Sequence, residues 1–220
     1  MSPRALARAR AQSALAVLLV LSAGGLWVFQ LARPSHSRPA EPALFTGDRW
    51  VIVGDSLASG AAGAALVLLM DREGAETHTI SHPGQTTADV LADTATWTAV
   101  RSIGADHLVF VLGTNDCIRL SRANDRRAAL AEIEASIRGL LRGVPSAWLV
   151  GPPSFAARLS WGAECPAVID IERRVFGDRF IDATRFTSDD GRTPDDVHFD
   201  VAGGEAWAAS VATALSHGHK

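Results

Sequence analysis

The stretch Trp50-Val51-Ile52-Val53-Gly54-Asp55-Ser56-Leu57 decides the fold. Val51, Ile52 and Val53 are three consecutive β-branched residues without a polar interruption, the pattern of a short strand buried on both faces in a parallel sheet. Gly54 then ends the strand, because a glycine lets the backbone turn sharply. Asp55 and Ser56 are left at the strand's carboxyl edge, where open α/β sheets place their ligand sites. Ser56 is therefore a candidate nucleophile. Gly-Asp-Ser is also an ordinary turn tripeptide, since Asp and Ser bond their own backbone, so the functional reading needs support from elsewhere in the chain.

Outward from this stretch, further strands are expected over residues 77–80, 107–112, 147–150 and 179–181. The apolar run Leu-Val-Phe-Val-Leu within 107–112 is the clearest. Helices are expected between them. Residues 58–70 are small and apolar on every side, which suits a helix buried against the sheet, and the cluster Gly60, Ala61, Ala62 and Gly63 suits close packing. It lacks the glycine spacing and lysine of a phosphate loop. Thr86, with Asp89 three residues on, resembles a helix start. Apolar positions 130, 133, 137, 140 and 141 share one face of a helix over 125–142, stopped by Gly143 and Pro145. Further helices fit 166–176 and 201–215. Five strands alternating with helices imply an α/β fold with a parallel five-stranded sheet and right-handed crossovers.

The chain has 220 residues, 47% of them hydrophobic, enough for one core but hardly two. The formal net charge of −3 understates how acidic the body is, because Arg4, Arg8, Arg10 and Arg33 precede residue 34 and no acid does. A body this acidic, without a basic stripe, argues against nucleic acid as a partner. Residues 1–10 form a basic amino terminus, and residues 11–32 carry no charge. As a helix, 11–32 would reach about 33 Å, enough to cross a bilayer's hydrocarbon. The arginines before it favour a cytoplasmic amino terminus and a membrane anchor. The competing reading is a secretory signal cleaved after Gly24, beside the small residues Ser22 and Ala23. Either way the rest is exported. Residues 33–47, with Pro34, Pro39 and Pro42, read as an extended tether, and 48–217 as the folded domain.

Three later segments strengthen the functional reading of Ser56: Pro83-Gly84-Gln85-Thr86, Gly113-Thr114-Asn115-Asp116 and Asp195-Asp196-Val197-His198. All follow expected strands or precede the last helix, so they can converge on one rim of the sheet. A serine hydroxyl needs a base within hydrogen-bond reach, and that base needs a third group to orient it. His198 suits the base, since imidazole titrates near neutrality. Asp195, three residues earlier, can hold its other ring nitrogen. The oxyanion formed on attack needs donors aimed at it: backbone N–H groups of Ser56 and Gly84, and the Asn115 amide.

In order, the four segments resemble the sequence blocks of the SGNH or GDSL hydrolase family, and the likeness spans about residues 49–215. The resemblance implies a flavodoxin-like three-layer α/β/α fold and metal-free, cofactor-free ester hydrolysis through an acyl-enzyme. It implies Ser56 as nucleophile, His198 as base, Asp195 as its orienter, and Gly84 and Asn115 as oxyanion-hole partners of Ser56. Asp55 and Asp116 would be structural neighbours. The chain departs from the family at Asp196, where glycine is frequent, so two carboxylates lie near His198 and the three-residue spacing selects Asp195. The Gly-x-Ser-x-Gly elbow of α/β-hydrolases is absent.

Cys117 and Cys165 are the only cysteines. In an exported domain they are candidates for a disulfide, with two free thiols as the alternative. The pairs His78 with His82 and His217 with His219 lack the companions of a metal site. Trp148 and Trp207 suit the core, and Trp161 is a candidate substrate wall. The expected substrate is a small ester or an acylated glycan. A thioesterase, lysophospholipase or acyltransferase using the same residues, and a silent glycan- or protein-binding domain, are the alternatives.

Overall fold

Parallel pairing of short apolar strands builds the centre of the molecule. The computed structural model describes Phe45 and residues 47–144, 146–155, 158–187 and 191–218. In chain order these form β1 (Arg49–Gly54), α1 (Ser56–Ser59), α2 (Ala61–Arg72), β2 (Glu76–Ser81), α3 (Thr87–Ala92), α4 (Thr94–Ile103), β3 (His107–Val111) and α5 (Thr114–Ser121). There follow α6 (Arg126–Leu140), β4 (Ala147–Val150), a 3-10 turn at Ser160–Glu164, α7 (Cys165–Phe176), β5 (Phe180–Ile181) and α8 (Val201–Gly218). The sheet order is β2-β1-β3-β4-β5, with every pair parallel. That is the flavodoxin-like order, whose reversal of direction falls between β1 and β3.

Alternation along the strands feeds two cores. Trp50, Ile52, Val109 and Val111 face Leu66 and Met70 of α2 and Trp207, Val211 and Leu215 of α8. Val51, Val53, Leu108 and Phe110 face Val90 of α3, Val100 of α4, Ile133 and Ile137 of α6 and Val168 of α7. Helices cover both faces, which gives the three layers. Trp148 and Trp207 are buried, as their apolar surroundings imply.

Several local features depart from the sequence reading. The apolar run 58–70 is two helices broken at Gly60, and Leu68 on α2 is exposed, so the run is not buried on every side. Phe45, assigned to the tether by its proline-rich surroundings, is fully buried with its ring edge-on to Trp50, so the core recruits chain before residue 48. Thr86 does start a helix: its hydroxyl accepts from Asp89 N–H while the Asp89 carboxylate accepts from Thr86 N–H, a reciprocal cap. The expected anchor (11–32) and most of the tether lie outside the described residues. Among the described residues, no helix is long and apolar enough to cross a membrane.

Candidate active site

The turn after β1 is shaped by close packing. A β-carbon at Gly54 would come within 2.5 Å of the Val111 carbonyl on β3, so only glycine lets the two strand ends approach this closely. Asp55 then caps α1, its Oδ1 accepting from Leu57 N–H at 2.9 Å. Ser56 becomes the first residue of that helix, and its own N–H has no intrahelical acceptor by position.

On the opposite side of the rim, residues 191–199 form a tight loop. Arg192 bridges to Phe199, and Thr193 N–H donates to the His198 carbonyl at 2.9 Å. The Arg192 guanidinium lies 3.9 Å over the Phe199 ring and donates to the carbonyls of Val197 and Ser154, tying the loop to the segment after β4. Within the loop, Asp195 Oδ1 accepts from Thr193 Oγ1 at 2.7 Å and from the N–H groups of Val197 and His198 at 2.9 and 3.0 Å. Its Oδ2 lies 2.7 Å from His198 Nδ1.

The other nitrogen of that ring completes the chain of contacts. His198 Nε2 lies 2.8 Å from Ser56 Oγ, joining residues 142 positions apart. A carboxylate on Nδ1 holds the proton there and leaves Nε2 as an acceptor for the serine hydroxyl. Slight burial acts to raise the Asp195 pKa. The bonds from His198, Thr193 and Val197 outweigh it and hold the carboxyl well below the usual carboxylate range. Of the two adjacent acids, it is Asp195 that meets the histidine. Asp196 adopts a left-handed backbone, φ 60°, and pairs with the Arg158 guanidinium. Nothing in the sequence pattern singles out Arg158 for this part.

Gly84 and Asn115 reach the same rim from β2 and β3. Gly84 sits at φ +85°, a conformation that favours glycine, with open space where a side chain would stand. Among the described residues its N–H meets no acceptor. Asn115 behaves differently from a waiting donor. Its Nδ2 donates to Asp55 Oδ2 at 3.1 Å and to the Gln85 carbonyl at 3.0 Å. An amide has two protons, so an oxyanion must share or displace one of these acceptors to reach Asn115. Ser56 and Gly84 N–H need no such exchange.

Beneath the rim lies a layer of buried carboxyls. Burial pushes Asp55 up to about 7 against the Leu57 bond, with the Asp116 charge adding and the nearby His198 and the Asn115 hydrogen bond opposing. Asp116 is likewise raised by burial, although its Oδ2 accepts from both the N–H and the hydroxyl of Thr87. Glu172 of α7 is fully buried and raised well above the ordinary glutamate range, first by desolvation and then by the charges of Asp116, Asp182 and Asp55. Among the described residues, neither of its oxygens meets a hydrogen-bond partner. They press on the ends of β3 and β4: a β-carbon at Gly113 would collide with Oε1, and one at Gly151 would lie 2.8 Å from Oε2. The sequence reading missed Glu172. The signal was there, since position 172 falls on the apolar stripe 165, 168, 169, 172 and 176 of its helix.

Cys117 on α5 and Cys165 at the start of α7 form a disulfide, with Cα atoms 5.0 Å apart. Closing a loop of this length contributes about 4 kcal/mol in the chain-entropy model. Trp161 packs edge-on against Phe155 at 4.7 Å between ring centroids. The cleft beside Gly84 and Asn115 is lined by other residues, among them Arg119, Arg122, Asn124 and Glu132.

A parallel 2-1-3-4-5 sheet carrying a serine, a histidine and an aspartate in contact at its switch point defines the class of architecture that the SGNH resemblance implies. No protein-family model matches the chain, and none of the curated proteins compared with it does. Solved structures do share the fold. A lipase/acylhydrolase from Enterococcus faecalis superposes with a TM-score of 0.65 at 17% identity, covering 77% of this chain and 96% of that one. An alpha/beta hydrolase enzyme from the metagenome of Lake Arreo, Spain, gives 0.62 at 20% identity, with 79% and 97% covered. An acetylxylan esterase from Geobacillus stearothermophilus gives 0.56 at 18%, with 79% and 96% covered. At these identities the likeness is one of fold.

Proposed function

We propose that this protein is a serine carboxylic-ester hydrolase. The observation that carries the reading is the unbroken line from Asp195 through His198 to Ser56, with contacts of 2.7 and 2.8 Å. His198 Nε2 takes the Ser56 proton as Oγ attacks the ester carbonyl, and the imidazolium that forms is stabilised by Asp195. The carbonyl oxygen becomes an oxyanion met by Ser56 and Gly84 N–H, with Asn115 joining as its amide turns from Gln85 or Asp55. Nε2 then protonates the departing alcohol, leaving the acyl group on Oγ. Water enters, gives its proton to His198 and attacks the acyl carbon; the acid leaves as the proton returns to Ser56.

The substrate we propose is a short acyl ester, with O-acetyl groups on a polysaccharide the favoured case. Two observations support it: a solved structure of this fold is an acetylxylan esterase, and the cleft beside Gly84 is lined by charged and amide side chains rather than by a hydrocarbon tunnel. We place the domain outside the cytoplasm on the strength of the uncharged 11–32 stretch. The test is hydrolysis of 4-nitrophenyl acetate by the full-length protein and by Ser56→Ala. Turnover is expected to fall to background in the variant while its circular dichroism is unchanged. Equal turnover in the two proteins would remove Ser56 from the chemistry.

A further inference from the structure

The cleft of about 650 Å³ that opens beside the catalytic residues carries charged groups to which the catalytic steps give no part. Gly84 and Asn115 are part of its lining, so an ester carbonyl seated on the oxyanion donors can send one of its substituents, acyl group or alcohol, into this space. Beyond them the lining comes from α5, the 122–125 segment that follows it and the first half of α6. Two arginines and two acids stand there, and three of the four are engaged. Arg119 pairs with Glu132 at 2.6 Å. Asp125 caps α6 by accepting from Ala128 N–H at 2.9 Å. Arg122 is the exception: among the described residues, no carboxylate lies within 4.0 Å of its guanidinium and no hydrogen bond occupies it. Asn124, two residues on, also presents an uncommitted amide to the cleft.

An uncompensated arginine on an otherwise acidic body is an anion-seeking group. Its planar fork matches a carboxylate with two parallel hydrogen bonds. Resting on the hydrolase reading, we propose that the cleft is a subsite for an anionic group on the ester substrate, a carboxylate held by Arg122 with Asn124 beside it. Two sources carry that chemistry: a half-ester of a dicarboxylic acid, with the anion on the acyl side, or an acetylated uronic-acid glycan, with the anion on the alcohol side. Both place a negative charge in the cleft while the carbonyl occupies the oxyanion donors.

The test measures selectivity in the full-length protein. One arm compares 4-nitrophenyl glutarate half-ester with 4-nitrophenyl valerate, each above its enzyme-free background. The other compares O-acetylated galacturonate oligomers with O-acetylated xylo-oligomers. Arg122→Ala is expected to lower the anionic-to-neutral ratio of kcat/KM about tenfold in one of the arms, chiefly through KM, and Arg122→Lys to restore part of it. In the wild type the same ratio is expected to shrink as salt is raised. The arm that responds identifies the source. A ratio unmoved by Arg122→Ala in both arms overturns the subsite. Ser56→Ala, measured alongside, separates the two failures: if it still turns over both members of a pair, the hydrolase reading itself has failed.

Discussion

The rim of the sheet holds its carboxylate half in water, whereas the layer beneath keeps three carboxyls out of it. Asp195 is open to solvent on one side and saturated with donors on the other, and it stays ionised. Asp55, Asp116 and Glu172 are buried, and burial drives all three the other way. The contrast lies in surroundings, not in residue type. Four N–H or O–H groups converge on Asp195 from its own loop, while Glu172, on a helix stripe meant for apolar residues, receives none. Charge is thus available where a proton must move and suppressed where strands and helices pack.

The sharpest way to break this comparison is at the exposed member. Asp195→Asn keeps an oxygen for the loop's N–H donors but changes the partner of His198 Nδ1. We expect kcat to fall by about 10³ to 10⁴, as loss of the correct tautomer does in other triads, with little change in Tm. A fall of less than tenfold would mean that the histidine is oriented by something else.

At the buried member the expected effect is on stability, and its sign follows from the raised pKa. Between the ordinary glutamate range and its raised folded value, Glu172 holds a proton in the folded state that the unfolded chain has released. Folding stability therefore decreases as pH rises through that window, and Asp55 acts the same way up to about 7. Glu172→Gln removes one contributor. Thermal unfolding should show its Tm rising relative to wild type between pH 5 and pH 8 by about 2–4 °C, the size that ~1 kcal/mol produces in a domain like this. A gap that stays constant with pH would show that Glu172 does not hold a proton. The smallest effect is expected at Asp196, whose ion pair with Arg158 is largely exposed on the arginine side. Asp196→Asn tolerates the left-handed backbone, and kcat should stay within about threefold. A loss as deep as that of Asp195→Asn would exchange the roles of the two acids.

How much of this was legible beforehand differs between strands, helices and site. The strands were plain because runs such as Val51 to Val53 and Leu108 to Val111 are buried on both faces and need no partner to be recognised. Helix α5 was hidden, since Thr114-Asn115-Asp116 has the composition of a turn; packing of Cys117 and Leu120 into the core and the bridge to Cys165 hold it in place. Helix α4 was missed too, because threonines at 94, 96 and 98 mask a short amphipathic face that Val100 completes. Phe45 escaped for a related reason, as its neighbours carry the signature of a tether while its ring fills a gap beside Trp50.

From the sequence alone came the alternation of strand and helix, the glycine turn that presents Ser56, and the three-residue spacing of Asp195 and His198. These are local properties, written in the order of neighbouring residues and enforced by backbone sterics and side-chain period. Only the tertiary structure decided that Asp196 turns to Arg158, that the Asn115 amide is already committed to Asp55 and Gln85, and that Glu172 is sealed without a partner. Each of those outcomes depends on which groups the folded chain brings within about 3 Å, and hydrogen bonding and desolvation act over such distances without regard to separation along the chain.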